Sequence, residues 1–365
     1  MRAIPEAPGI LSAAEVLATA RSIADVQRGD GMIPWFPGGH CDPWNHIEAA
    51  MALTACGMDD EADAAYRWLA ATQLPDGSWF NYYLGAGVKD PRLDTNVCAY
   101  VATGAWHRYM STGELAGLEA LWPTVEAAIE FVLRYQRIDG SVHWSLDPAG
   151  YLEGYALLTG SSSIYHSLRC AIAIAEQLGR ERPDWEIAAV RLCQALAHDP
   201  DAFAPKHEFA MDWYYPILSG ALTGSKAAAH IDAGWQTFVL DGAGVRCVST
   251  GDWVTAAETA ECVLALDAIG DSVRAEQLLR WVQQLRNDDG SYWTGMVFPD
   301  EATYPPLERS TYTAGAMILA VDAVSRTTPA SGIFRGDGLP GHLDLTEPAP
   351  GAPVEAAFPF RAQPS

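Results

Sequence analysis

The chain has 365 residues, 49% of them hydrophobic and 19% charged, which excludes a disordered chain and is enough for one large core or two smaller ones. A formal net charge of −23 argues against nucleic acid or an anionic membrane surface as a partner, since both reward Lys and Arg. The N-terminal stretch MRAIPEAPGILSAAEVL lacks a long apolar core, no run approaches membrane-spanning length, and the seven cysteines show no CxxC or tight Cys/His spacing, so a cytoplasmic protein with structural thiols and no metal is expected.

Taken in chain order, the hydrophobic periodicity repeats one unit. A helix over 13–27 runs to Asp30-Gly31, then a loop, then a helix over 43–56 that opens with Pro43 after Asp42. The second unit pairs 61–73, ending at Asp76-Gly77, with 97–111. The third pairs 119–136, Asp139-Gly140 and a loop closing on Gly160 and three serines, with 164–178. The remaining pairs are 183–197 with a helix from Trp213 to near Gly220, 225–240 with 254–269, and 272–286 with 311–324. First helices, such as EADAAYRWLAATQ, are amphipathic, whereas second helices, such as AETAECVLALDAI, are apolar nearly all round. An inner ring of buried helices inside an outer ring of half-exposed ones satisfies both patterns: an all-α, (α/α)6 toroid over 1–326. Residues 327–365, dense in Pro and Gly, read as a tail without its own fold.

The long loops all lead from an outer to an inner helix, and the return links are short, so the long loops share one face and the site is expected there. They deliver His40, Asp42 and Trp44; Tyr82 and Asp94; Ser161 to Ser163; Asp212, Trp213 and Tyr214; Trp253, Glu258 and Glu261; and Trp293 and Glu308. Acids mixed with aromatics suit a carbohydrate, whose apolar faces pack on rings while its hydroxyls bond to carboxylates. Taken singly, each residue is better read as a helix cap or a packed loop end, and it is the set converging on one mouth that points to function. For glycoside hydrolysis two carboxyls are needed, and Asp42 at a helix mouth and Glu258 near the first turn of an apolar helix are the expected pair. Burial in that helix would raise Glu258 and suit it to be the acid. Asp94 and Asp212 are reserves, or hold sugar hydroxyls with His40, Trp44, Tyr82, Trp213, Tyr214, Trp253, Glu261, Trp293 and Glu308. Coming from hairpins one and five, the pair is expected to leave room for a water and to invert configuration.

Three resemblances attach to these motifs. TQLPDGSW, YQRIDG and LRNDDGSYW resemble the Q-x-x-x-G-x-W repeats of terpenoid cyclases and protein prenyltransferases. That likeness implies a toroid, but the DxDD motif and an Asp/Cys/His zinc set are missing, and the loops offer few bases for a diphosphate. LDTNVCAYVATGAWHRYMSTGELAGLEALWPTVEAAIEFVLRYQRIDG with SSSIYHSLRCAIAIAEQLG resembles the middle of six-hairpin glycosidases such as glucoamylases, without their Trp-Glu acid motif. HCDPWNHIEAAMAL, MDWYYPILSGAL, WVTAAETAE and DGSYWTG, spread over Trp35 to Gly295, are similar to actinobacterial hydrolases of methylmannose polysaccharides, whose members often carry a prenyltransferase label. This likeness implies an endo-acting hydrolase of α-1,4-mannans without a cofactor. The rival expectations are an isoprenoid cyclase or transferase acting on a prenyl diphosphate, and a non-catalytic sugar-binding toroid.

Overall fold

The computed structural model describes residues 2–341; most of the expected tail, 342–365, lies outside the described residues. The outer helices are α1 (Ala13–Ala24), α3 (Asp59–Thr72), α6 (Leu115–Leu133), α8 (Pro183–His198), α10 (Gly224–Phe238) and α12 (Ser272–Trp281). The inner ones are α2 (Pro43–Ala55), the two-piece rod of α4 (Thr95–Ala99) and α5 (Val101–Thr112), α7 (Leu158–Gln177), α9 (Ala210–Leu218), α11 (Ala256–Ala268) and α13 (Thr311–Ser325). Each inner rod packs on the next, and α13 returns to α2, closing the ring. This is the expected toroid. The reason lies in the side chains: twelve of the thirteen residues of α2 are buried, while α3 buries only Ala62, Ala65, Tyr66, Trp68 and Leu69. A helix apolar on every side can only sit where helices surround it.

The aspartate-glycine turns stitch the outer ring. In the first three hairpins a glutamine amide donates to the turn glycine's carbonyl and to a carbonyl of the next outer helix: Gln27 to Gly31 and Glu61, Gln73 to Gly77 and Thr124, Gln136 to Gly140 and Ala188. Gly77 has φ +94°, and a Cβ there would stand 2.1 Å from the Ala127 carbonyl oxygen, so only glycine allows the approach. Gly290 meets the backbone of Ala18 and Thr19 in the same manner, and Thr19 Oγ1–H donates to its carbonyl at 2.8 Å, which joins hairpin six to hairpin one.

One boundary differs from the periodic reading. Helix α7 starts at Leu158, so Ser161 to Ser163 are buried in its opening turns and not in a loop. Three serines in a row read as loop because a hydroxyl competes for backbone hydrogen bonds, but the ring environment overrides that local bias. Past Arg326 the chain stays packed as far as it is described: Ile333 and Phe334 are buried, Phe334 stacks on His166 at 5.0 Å, and Arg335 Nη1 bonds Asp267. No helix among the described residues is long and apolar enough to cross a membrane.

Candidate active site

A cavity of about 390 Å³ opens at the N-terminal ends of the inner helices. Four carboxyls line it, Asp42, Asp94, Glu258 and Glu261, with Trp35, Trp44, Tyr82, Tyr215 and Tyr312, and none of its lining residues is Lys, Arg or His. Asp42 caps α2: its Oδ1 accepts the Asn45 N–H at 2.9 Å, and its Oδ2 accepts Trp35 Nε1–H and Asn45 Nδ2–H, both at 2.6 Å. It is 3% exposed, and burial raises its pKa while these donors offset only part of the effect.

Asp94 repeats the construction on α4. Its Oδ1 accepts the N–H groups of Asn96 and Val97 at 2.9 and 3.1 Å, and its Oδ2 accepts Trp144 Nε1–H at 2.6 Å. Burial pushes it up to about 6. An N-cap aspartate clamped by an indole from a loop is thus used twice around the mouth.

On α11, Glu258 lies in the first turn, half-buried, with Thr255 Oγ1–H donating to its Oε2. Glu261 follows one turn deeper on the same face. It is 4% exposed and accepts the hydroxyls of Tyr214 and Tyr215, the latter at 2.7 Å. Burial raises it to about 8, the tyrosines resist, and the charge of Glu258 adds to the rise. Glu48 of α2, 2% exposed, lies within electrostatic reach of Glu261; burial, then Glu261 and Asp42, push it well above the usual carboxylate range. The pair therefore holds a proton at neutral pH.

The expected site residues divide by placement. Asp42, Trp44, Tyr82, Asp94, Glu258 and Glu261 line the cavity. His40 stands behind it, against Trp35 at 4.4 Å and Tyr82 at 4.6 Å, and burial with the nearby Lys89 lowers it to about 4, so it is neutral. Tyr214 lies beneath the cavity, bonded to Glu261. Asp212 lines a neighbouring cavity and accepts Thr159 Oγ1–H at 2.5 Å. Trp213 faces α10, stacked on Phe238 at 5.2 Å and donating to the His230 carbonyl, because its ring fills a gap left by Gly234. Trp253 donates to the Tyr304 carbonyl, Trp293 lies under Arg309, and Glu308 accepts Thr294 Oγ1–H; none of the three lines the cavity.

Sequence reasoning missed Glu48, Asn45, Asn81, Asn96, Thr159, Met211 and Tyr312 as site residues. Glu48 was detectable by the criterion that singled out Glu258, an acid alone in an apolar helix. Tyr312 and Met211 carry no such signal, since a ring or thioether at an inner-helix start reads as core.

No profile of a known protein family matches the chain. Solved structures share the fold at low identity: a glycosidase in complex with glucose (TM-score 0.68, 14% identical, 86% of this chain and 97% of that one) and a D-mannose isomerase (0.65, 12%, 84% and 96%). An α-amylase from Clostridium perfringens is a further neighbour (0.60, 11%, 84% and 97%). A hydrolase and an isomerase on one architecture show that the toroid alone does not decide the chemistry. The chain is also 50% identical over 342 residues, 94% of its length and 95% of the relative's, to the MMP endo-(1,4)-3-O-methyl-alpha-D-mannosidase of Mycolicibacterium hassiacum. With half the positions shared across nearly the whole of both proteins, the chain belongs to the family of that endo-mannosidase.

Proposed function

We propose that this protein is an endo-acting glycoside hydrolase that cleaves internal α-1,4-mannosidic bonds of a 3-O-methylated mannan, with Asp42 and Glu258 as its carboxyl pair. The observation that carries the reading is that these two acids, 216 positions apart in sequence, face one cavity lined by acids and rings and free of bases. The named substrate of the half-identical relative supplies the sugar and the linkage. A diphosphate would meet four carboxyls and no cation there, which disfavours the isoprenoid reading.

The more deeply buried member of the pair is Asp42, not Glu258, so the roles expected from sequence exchange. Asp42, raised by burial, protonates the glycosidic oxygen as the bond to the anomeric carbon breaks. Glu258, at the helix N-terminus, takes a proton from the water that attacks the opposite face, and the product forms with inverted configuration. Trp35 and Asn45 hold Asp42 in place, and Trp44, stacked on Tyr100 at 4.7 Å, offers a fixed wall for a sugar ring. None of these steps calls for a cofactor. The cytoplasmic setting expected from the sequence is part of this proposal.

The test is mass spectrometry of products after incubation with 3-O-methylated α-1,4-mannan, with proton NMR of the first product formed. Shorter oligosaccharides released as the β-anomer are expected. Intact mannan with a folded protein would refute hydrolysis, and an α-anomeric first product would refute inversion.

A further inference from the structure

The cavity that holds the carboxyl pair does not end at Asp94. A second cavity of about 300 Å³ shares Asp94, Asn96, Thr159 and Met211 with it and runs on past Tyr155 and Phe209. Its character changes along the way. Where the first cavity gathers four carboxyls, the extension sets rings and apolar side chains, Trp144, Tyr155, Leu157, Phe209 and Met211, beside Asp94, Asp212 and Lys206.

The wall is fixed in place. Trp144 donates its only N–H to Asp94 at 2.6 Å, stacks on Tyr155 with centroids 5.6 Å apart and planes at 25°, and lies under the Arg92 guanidinium at 5.1 Å. Its indole therefore has no polar atom left for a ligand. Phe209, just ahead of α9, is 36% exposed, a large ring kept in water at the rim of a groove.

We propose that this extension is a subsite selecting an O-methylated sugar residue of the chain being cut. The proposal rests on the glycosidase reading and specifies which unit lies beside the cleavage point. Continuity with the carboxyl-lined cavity identifies the occupant as the same glycan chain. The apolar side chains identify the substituent: Leu157, Phe209 and Met211 offer a free hydroxyl no partner, whereas a methyl ether has no donor to strand and buries a methyl group against them. Asn96, Thr159 and Asp212, which also line the extension, remain to bond the unmethylated hydroxyls.

The experiment compares kcat/KM on size-matched α-1,4-mannooligosaccharides with and without 3-O-methyl groups, for the wild type and for Phe209→Ser, Met211→Ser and Tyr155→Ser, each checked for folding by circular dichroism. Burying one methyl group is worth about fourfold in affinity. The wild type is expected to prefer the methylated chain by about that factor or more. The variants should lose about fourfold of the preference, mainly through KM on the methylated chain, as loss of uniform binding requires. Equal rates on the two chains in the wild type, or a preference unchanged in all three variants, would overturn the subsite while leaving hydrolysis intact. Cleavage of neither chain by the wild type would overturn the hydrolase reading and the subsite together.

Discussion

Replacing Glu261 by glutamine tests the buried carboxyl cluster under the site. Glu261 faces Glu48 and Glu258, and its oxygens accept the hydroxyls of Tyr214 and Tyr215. Its pKa rises from 4.5 in the unfolded chain to about 8 in the folded one. The folded protein then binds more protons than the unfolded chain across that window. The resulting stability is fully present below pH 4.5 and is lost as pH climbs through about 8. At about 1.4 kcal/mol per pKa unit the ceiling is ~5 kcal/mol, and sharing the proton with Glu48 brings the expectation to ~3 kcal/mol. For a chain of this length that corresponds to about 4 °C in Tm. Glutamine keeps the shape and does not titrate, so the gap in Tm between wild type and Glu261→Gln should shift against the wild type by about 4 °C between pH 5 and pH 8. Differential scanning calorimetry at both pH values measures it. A gap constant with pH, or one shifting toward the wild type as pH rises, would refute a protonated buried pair.

Other perturbations probe the mouth and the scaffold. Asp42→Asn preserves the helix cap but not the proton, so kcat on mannan should fall by about 10²–10⁴ while far more activity survives on an α-mannosyl fluoride chain, whose leaving group needs no acid; equal losses on both would reassign Asp42. Trp35→Phe removes the 2.6 Å N–H donor to Asp42, so the alkaline limb of the kcat/KM profile should move to higher pH; a shift to lower pH would contradict the acid role. Gly77→Ala forces a Cβ to within 2.1 Å of the Ala127 carbonyl oxygen and should cost ~2–4 kcal/mol by urea unfolding, whereas Gly29→Ala, with open space around it, should be near neutral.

The toroid was legible because its cause is periodic. Six amphipathic helices alternating with six apolar ones leave few arrangements, and unequal loop lengths give the ring a mouth. The boundary that slipped did so where tertiary burial beat local propensity, at Ser161 to Ser163. The site was legible in part. Asp42, Asp94 and Glu258 stand at inner-helix starts, with Glu261 one turn deeper, positions that sequence reveals and that also decide where they point. The tryptophans were harder, because an indole beside a helix start can swing inward or outward. Trp44 lines the cavity, while Trp213 turns toward α10 into the space above Gly234, a gap no single-sequence pattern announces. Glu48 stood out as an acid in an apolar helix, but its pairing did not: Glu261 lies 213 positions away, and only the closed ring brings the two acids within reach.

The most direct test of the central claim is a single-turnover assay on a methylated α-1,4-mannooligosaccharide using wild type, Asp42→Asn and Glu258→Gln, with binding of the same ligand to each followed by calorimetry. Expected are cleavage by the wild type, loss of at least about 10² in rate for each variant, and dissociation constants that stay within about tenfold. A variant that cuts as fast as the wild type would remove that carboxyl from the chemistry, and tight binding without cleavage by any of the three would make this a sugar-binding toroid.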